Sequence, residues 1–119
     1  MGKPLEAGDV QIIRAGKGIS HAEHIEKGGV IFQIWVDPDL SKTLQQEASY
    51  DDYKATDFKV TETDGTSIIH YAGEKGLIHL NTPGVDIRRI RMTDIPFTWA
   101  GDKNAIHSLC HRRLGNAGW

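Results

Sequence analysis

The sequence predicts an all-β domain, on three observations. Thirteen glycines are scattered along the 119 residues. Between them lie short runs rich in Ile, Val, Phe and Trp, the texture of strands joined by turns in sandwiches and barrels. Turn chemistry recurs at the breaks: "EKGG" (26–29), "AGEKG" (72–76) and "NTPG" (81–84). A chain of this length is read as one domain, 1–119.

The strands follow in order. "DVQIIR" (9–14) is the first, and "GISHAEHI" (18–25) is the second, with alternating character. "VIFQIWV" (30–36) is a continuous apolar run bounded by turn signals, as a doubly buried strand would be. Residues 8–36 thus form one set of strands. Residues 37–57, "DPDLSKTLQQEASYDDYKATD", are polar, hold no glycine and read as a connector. Ser41 can cap a short helix there, although the apolar periodicity is weak. The second set, 58–115, holds "TSIIHYA" (66–72), "GLIHL" (76–80), "VDIRRIRM" (85–92) and "NAIHSLC" (104–110).

Composition narrows the function classes. Fourteen basic residues face sixteen acidic ones, a net charge of −2, with no global pull toward nucleic acid or anionic membrane. No apolar run approaches the length of a membrane span. A single cysteine, Cys110, precludes an intrachain disulfide. The first residues lack the basic and apolar regions of a secretory signal. The expectation is a cytoplasmic protein that binds neither nucleic acid nor membrane.

The densest chemistry lies in "GKGISHAEH" (16–24). On a strand, Ile19, His21, Glu23 and Ile25 share one face, and His24 with Glu26 takes the other. A His–Glu pair framed by isoleucines is costly to bury unless it is mutually satisfied or holds an ion. Imidazole nitrogen with carboxylate oxygen suits non-haem iron and related divalent metals. Two ligands are fewer than a metal site needs, and solvated or self-paired side chains are the default for such a pair.

The stretch has companions. Gly8 to Gln11, Ala15 to Ile19, His21 with Glu23, and Gln33 to Val36 stand in the order Gly-Asp-Val-Gln, Ala-Gly-x-Gly-Ile, His-x-Glu, Gln-x-Trp-Val. That series resembles the pirin family of cupins, closely over 8–38 and more loosely to about 92. "YDDYKATDF" (50–58) is similar to the linker between that family's two barrels. The resemblance implies a cupin jelly-roll or β-barrel that binds one iron, Fe(II), with His21 and Glu23 as two of four protein ligands. It places the other two in an upstream His-x-His motif. Only seven residues precede Gly8, so that motif is not expected here. The second barrel is likewise expected to be cut short. The sequence reads as the rear half of one barrel joined to the front of another.

A half barrel leaves open strand edges and an uncovered apolar face. Two identical chains solve both problems when each contributes the strands the other lacks. The expectation is therefore a homodimer formed by strand exchange or sheet pairing. A single chain closed into a small sheet is the alternative. A dimer can also supply metal ligands in trans.

The other candidates read more plainly. His70 and His79 lie in apolar runs and suit core or interface roles. His107 and His111, four apart, would share a helix face beside Cys110. Cys110 is read as a buried thiol, since no oriented triad is visible. Arg88, Arg89, Arg91, Arg112 and Arg113 read as solvated or ion-paired, because no aromatic platform is interleaved with them. Trp35, Trp99 and Trp119 read as core or interface aromatics.

The functional expectation is a non-catalytic, dimeric cupin-like domain that binds a small molecule or a protein partner. The missing His-x-His favours it. The alternative is an iron-dependent pirin-like dioxygenase acting on a flavonol-like aromatic, with metal ligands completed across the dimer.

Overall fold

The computed structural model describes residues 3–93. Within them the chain builds two small antiparallel sheets. β1 (Val10–Arg14) pairs with β2 (Ser49–Tyr53), and β3 (Val60–Thr63), β4 (Thr66–Ala72) and β5 (Ile87–Met92) follow one another in the second sheet. Helix is limited to α1 (Leu40–Thr43) and a 3-10 turn at Ala55–Asp57 among the described residues. The all-β reading holds at this level. None of the described helices is long and apolar enough to cross a membrane.

The register of the first sheet follows from its side chains. Val10 lies opposite Tyr53 and Ile12 opposite Asp51, so one face carries Val10, Ile12 and Tyr53. The other face carries Gln11 opposite Asp52, and the Gln11 Nε2 donates to Asp52 Oδ1 at 2.9 Å. Arg14 pairs with Asp51 and also donates to the His79 carbonyl at 2.9 Å, tying this sheet to the loop after β4. Asp9, with a side chain 4% exposed, clamps the start of β1 to the end of β2. It accepts from the Glu6 and Ala55 amides at 3.0 and 2.9 Å and from Lys54 Nζ at 3.0 Å. Those hydrogen bonds, the Glu6 and Ala55 amides foremost, hold its carboxyl below the usual carboxylate range.

The second sheet begins with a hairpin whose two-residue loop is Asp64-Gly65, set between Thr63 and Thr66. Gly65 has a φ of 71°, which the tight hairpin turn requires and a side chain would resist. β5 then adds to β4 with an irregularity between His70 and Ala72. Past it, Ile78 returns to bridge Ala72 in parallel, its amide donating to the Tyr71 carbonyl at 2.9 Å.

Phe58 joins the two sheets. It is 5% exposed and sits between Tyr53 of β2 and Tyr71 of β4. Its centroid is 5.7 Å from the Tyr53 ring and 4.9 Å from the Tyr71 ring, the second contact edge-on. Phe58, Ala72 and Ile78 form the buried cluster, with Val10, Ile12, Ile69, Leu80 and Ile87 packed around it. Burying one such ring is worth roughly 2 kcal/mol, and each well-placed aromatic pair about 1 kcal/mol more.

Several predicted elements differ from those observed. Residues 18–25 and 30–36 enter neither sheet. An apolar run becomes a strand only when another strand takes up its backbone groups, and none of the described residues does so. "GLIHL" contributes only the bridge at Ile78. The connector 37–57 is not featureless: it holds α1 and β2. Asp39 caps α1 instead of Ser41, its carboxylate accepting from the Ser41 amide at 3.1 Å. β3 was not expected as a separate strand, although the Asp-Gly pair marks its hairpin. The expected strand 104–110, with His107, Cys110, His111, Arg112, Arg113, Trp99 and Trp119, lies outside the described residues.

His70 on β4 is 5% exposed, and its Nε2 lies 3.3 Å from the Thr61 hydroxyl. Desolvation holds its pKa below the usual 6.5, and the positive charges of Arg88, Lys75 and Lys59 act in the same direction against Asp86. The unfolded chain therefore takes up this proton first. The stability tied to neutral His70 is complete above about pH 6.5 and is lost as pH falls below it. Denaturant melts from pH 7.5 to 5 are expected to show this slope, and His70→Gln is expected to flatten it.

Candidate functional site

Residues 16–36 carry the site on a segment that joins neither sheet. Its path is fixed at both turns. Gly16 has a φ of 52°, and a Cβ there would meet the Gln46 carbonyl at 2.3 Å. Lys17 donates its amide to that carbonyl at 2.9 Å and its ammonium to Glu47 at 2.6 Å. The first glycine of "GKG" is thus a packing requirement of the segment before β2. At the far end Gly29 donates to the Glu26 carbonyl at 2.8 Å, closing the predicted "EKGG" turn. That turn sends the chain back, so the 30–36 run passes beside 18–25.

The consequence is a three-residue cluster. His21 Nδ1 lies 3.8 Å from Glu23 Oε1, which is ion-pair distance and not a hydrogen bond. Gln33 Nε2 donates to Glu23 Oε2 at 2.7 Å. His21 and Glu23, two residues apart, thus face each other as their spacing predicts, while His24 has a partner of its own. His24 Nε2 faces Glu26 Oε1 at 3.4 Å, both side chains open to solvent. Gln33 was not among the predicted site residues. Its signal was its place in "FQIWV", the run next along the chain.

The cluster's donor types suit a divalent metal: an imidazole nitrogen and a carboxylate oxygen with a neutral amide to orient it. The described residues bring two such donors together here. Among the described residues no three His, Cys, Asp or Glu side chains converge as a metal site. The His and Glu side chains are about one-third exposed and keep room for further ligands.

Other histidines stand apart. His70 is spent on Thr61 within the second sheet. His79 borders an open cavity of about 430 Å³ in the loop between β4 and β5, together with Glu74, Ile78, Leu80 and Asp86. That volume lies within the range of small-molecule sites. The Asp86 carboxyl there is held below its usual range, chiefly by its hydrogen bonds from Arg88 at 2.7 and 3.1 Å.

No protein-family model, curated protein or solved structure matches this chain.

The Gln33–Glu23 bond is open to a direct check. In a ¹H–¹⁵N spectrum the Gln33 side-chain amide resonance is expected to move in Glu23→Ala and to stay in place in His24→Ala.

Proposed function

We propose that this chain is a non-catalytic, cupin-like half-barrel module that works as a homodimer. One observation carries the reading: the most apolar run of the sequence stands in solvent. Trp35 is 87% exposed and Val30 63%, with Ile31 and Ile34 each about half exposed. None of residues 30–36 joins a ladder among the described residues. An apolar run outside any sheet is what sheet pairing takes up. A second copy is the natural occupant, because two-fold pairing buries the same run on both chains at once. The resemblance of residues 8–38 to the pirin-like cupins supports the same reading, since that fold completes a barrel around these strands. The cavity beside His79 is where such a module takes a small molecule.

The test is solution mass by light scattering. Twice the mass of one chain is expected, with Trp35→Glu returning the protein to monomer. A monomeric wild-type chain overturns the proposal.

The convergence of His21, Glu23 and Gln33 favours a second reading, the iron-dependent dioxygenase. Two copies supply two His–Glu pairs, four donors of the types Fe(II) takes. Oxidation of a flavonol-like aromatic by dioxygen depends on that filled shell, so it stands only if the pairs meet across the dimer. After anaerobic incubation with Fe(II) and desalting, this reading expects about one iron per dimer, lost in His21→Ala. Iron retained equally by His21→Ala, or absent from both, removes it.

A further inference from the structure

We infer that Ser67, Arg89 and Arg91 form a binding site for a phosphate-class oxyanion, on the face of the second sheet that also carries Ile69. The "IRRIRM" strand supplies the charge, and its register separates the three arginines. Arg89 lies opposite Ile69 and Arg91 opposite Ser67, so these four side chains share a face. Arg88 falls on the opposite face, where it bonds Asp86.

The two remaining arginines are not neutralised. Arg14, Lys17, Lys42, Lys54 and Arg88 each reach a carboxylate within 4 Å. The Arg89 and Arg91 side chains make no ion pair or hydrogen bond among the described residues, their backbones being paired with β4. They instead border a cavity of about 110 Å³ whose other walls are Ser67 and Ile69. Two planar guanidinium forks and one hydroxyl match the acceptor oxygens of a tetrahedral anion. The Ile69 side chain belongs partly to the core and offers an apolar floor, against which charge-assisted hydrogen bonds are less screened. The volume is enough for a single phosphoryl group. Glu62, opposite Ser67 on β3, is the carboxylate of this face. It lies across β4 from the arginines, one carboxylate against two guanidinium groups among the described residues of these strands.

The ligand is therefore a phosphomonoester or inorganic phosphate, and its group can come from a soluble metabolite or a lipid headgroup. The site lies within one chain and does not depend on pairing through residues 30–36.

Titration of the full chain with inorganic phosphate, at ionic strength balanced with chloride, tests this. The arginine Nε–H resonances in a ¹H–¹⁵N spectrum are the readout. Saturable shifts at Arg89 and Arg91 are expected with phosphate and not with chloride. Arg89→Gln and Arg91→Gln each weaken binding about tenfold, the loss of one charge-assisted hydrogen bond. The double variant abolishes binding, and Lys27→Gln, in the 26–29 turn, leaves it unchanged. Both arginines are exposed, so folding is not at stake, and an unchanged circular-dichroism spectrum checks it. Absence of saturable shifts, or equal binding by the double variant, overturns the proposal. Vesicles of phosphatidylcholine with and without phosphatidic acid then distinguish the sources. Arginine-dependent retention on phosphatidic acid identifies a headgroup, and saturation by phosphate without retention identifies a soluble ester.

Discussion

Among the described residues the two sheets meet around one buried ring. Phe58 stands just after the 3-10 turn and just before β3, the point where the chain leaves one sheet for the other. Its ring touches Tyr53 on one side and Tyr71 on the other. Around it the buried apolar cluster is small: Ala72 and Ile78 complete it. A core this small leaves little to hold two sheets together apart from this contact. Polar clamps carry a correspondingly large share of the geometry. Asp9 gathers the start of β1, the end of β2 and the turn before Phe58, and Arg14 reaches across to the His79 carbonyl.

The same scarcity of buried apolar surface gives the exposed run its meaning. Single exposed apolar residues are ordinary, but Val30, Ile31, Ile34 and Trp35 lie within six positions. The run also carries Gln33, which orients Glu23. The run and the His21–Glu23 pair are therefore joined through one hydrogen bond. The arginine face of the second sheet is remote from that linkage in sequence and built from different strands.

Some of this was legible in the residues. The β texture, the turns at 26–29 and 72–76, and the nearness of His21 to Glu23 follow from local chemistry. Each depends on glycine's freedom or on the two-residue alternation of an extended chain. The misreadings share a cause as well. "SYDDY" was read as connector because it is polar, yet it pairs with β1 in a register that sets Tyr53 opposite Val10, where its ring meets Phe58. "VIFQIWV" was read as a strand because it is apolar, yet it finds no ladder among the described residues. Asp64-Gly65 carried a hairpin signal that the strand pattern on either side was too short to reinforce. Arg88, Arg89 and Arg91 read alike as a charge run, and only the cross-strand register separated the ion-paired one from the other two.

By itself the sequence determined the all-β character, the turns and the adjacency of imidazole and carboxylate, because those are set within a few bonds of each residue. The tertiary structure alone decided which strands found partners, that Phe58 would join two sheets, and that Gln33 would reach Glu23. It also decided which arginines would be left without a carboxylate. These outcomes rest on contacts between residues distant along the chain, where burial and hydrogen bonding compete among many alternative pairings. Hydropathy along a segment measures how much that segment gains from being covered; what covers it is a property of the assembled fold.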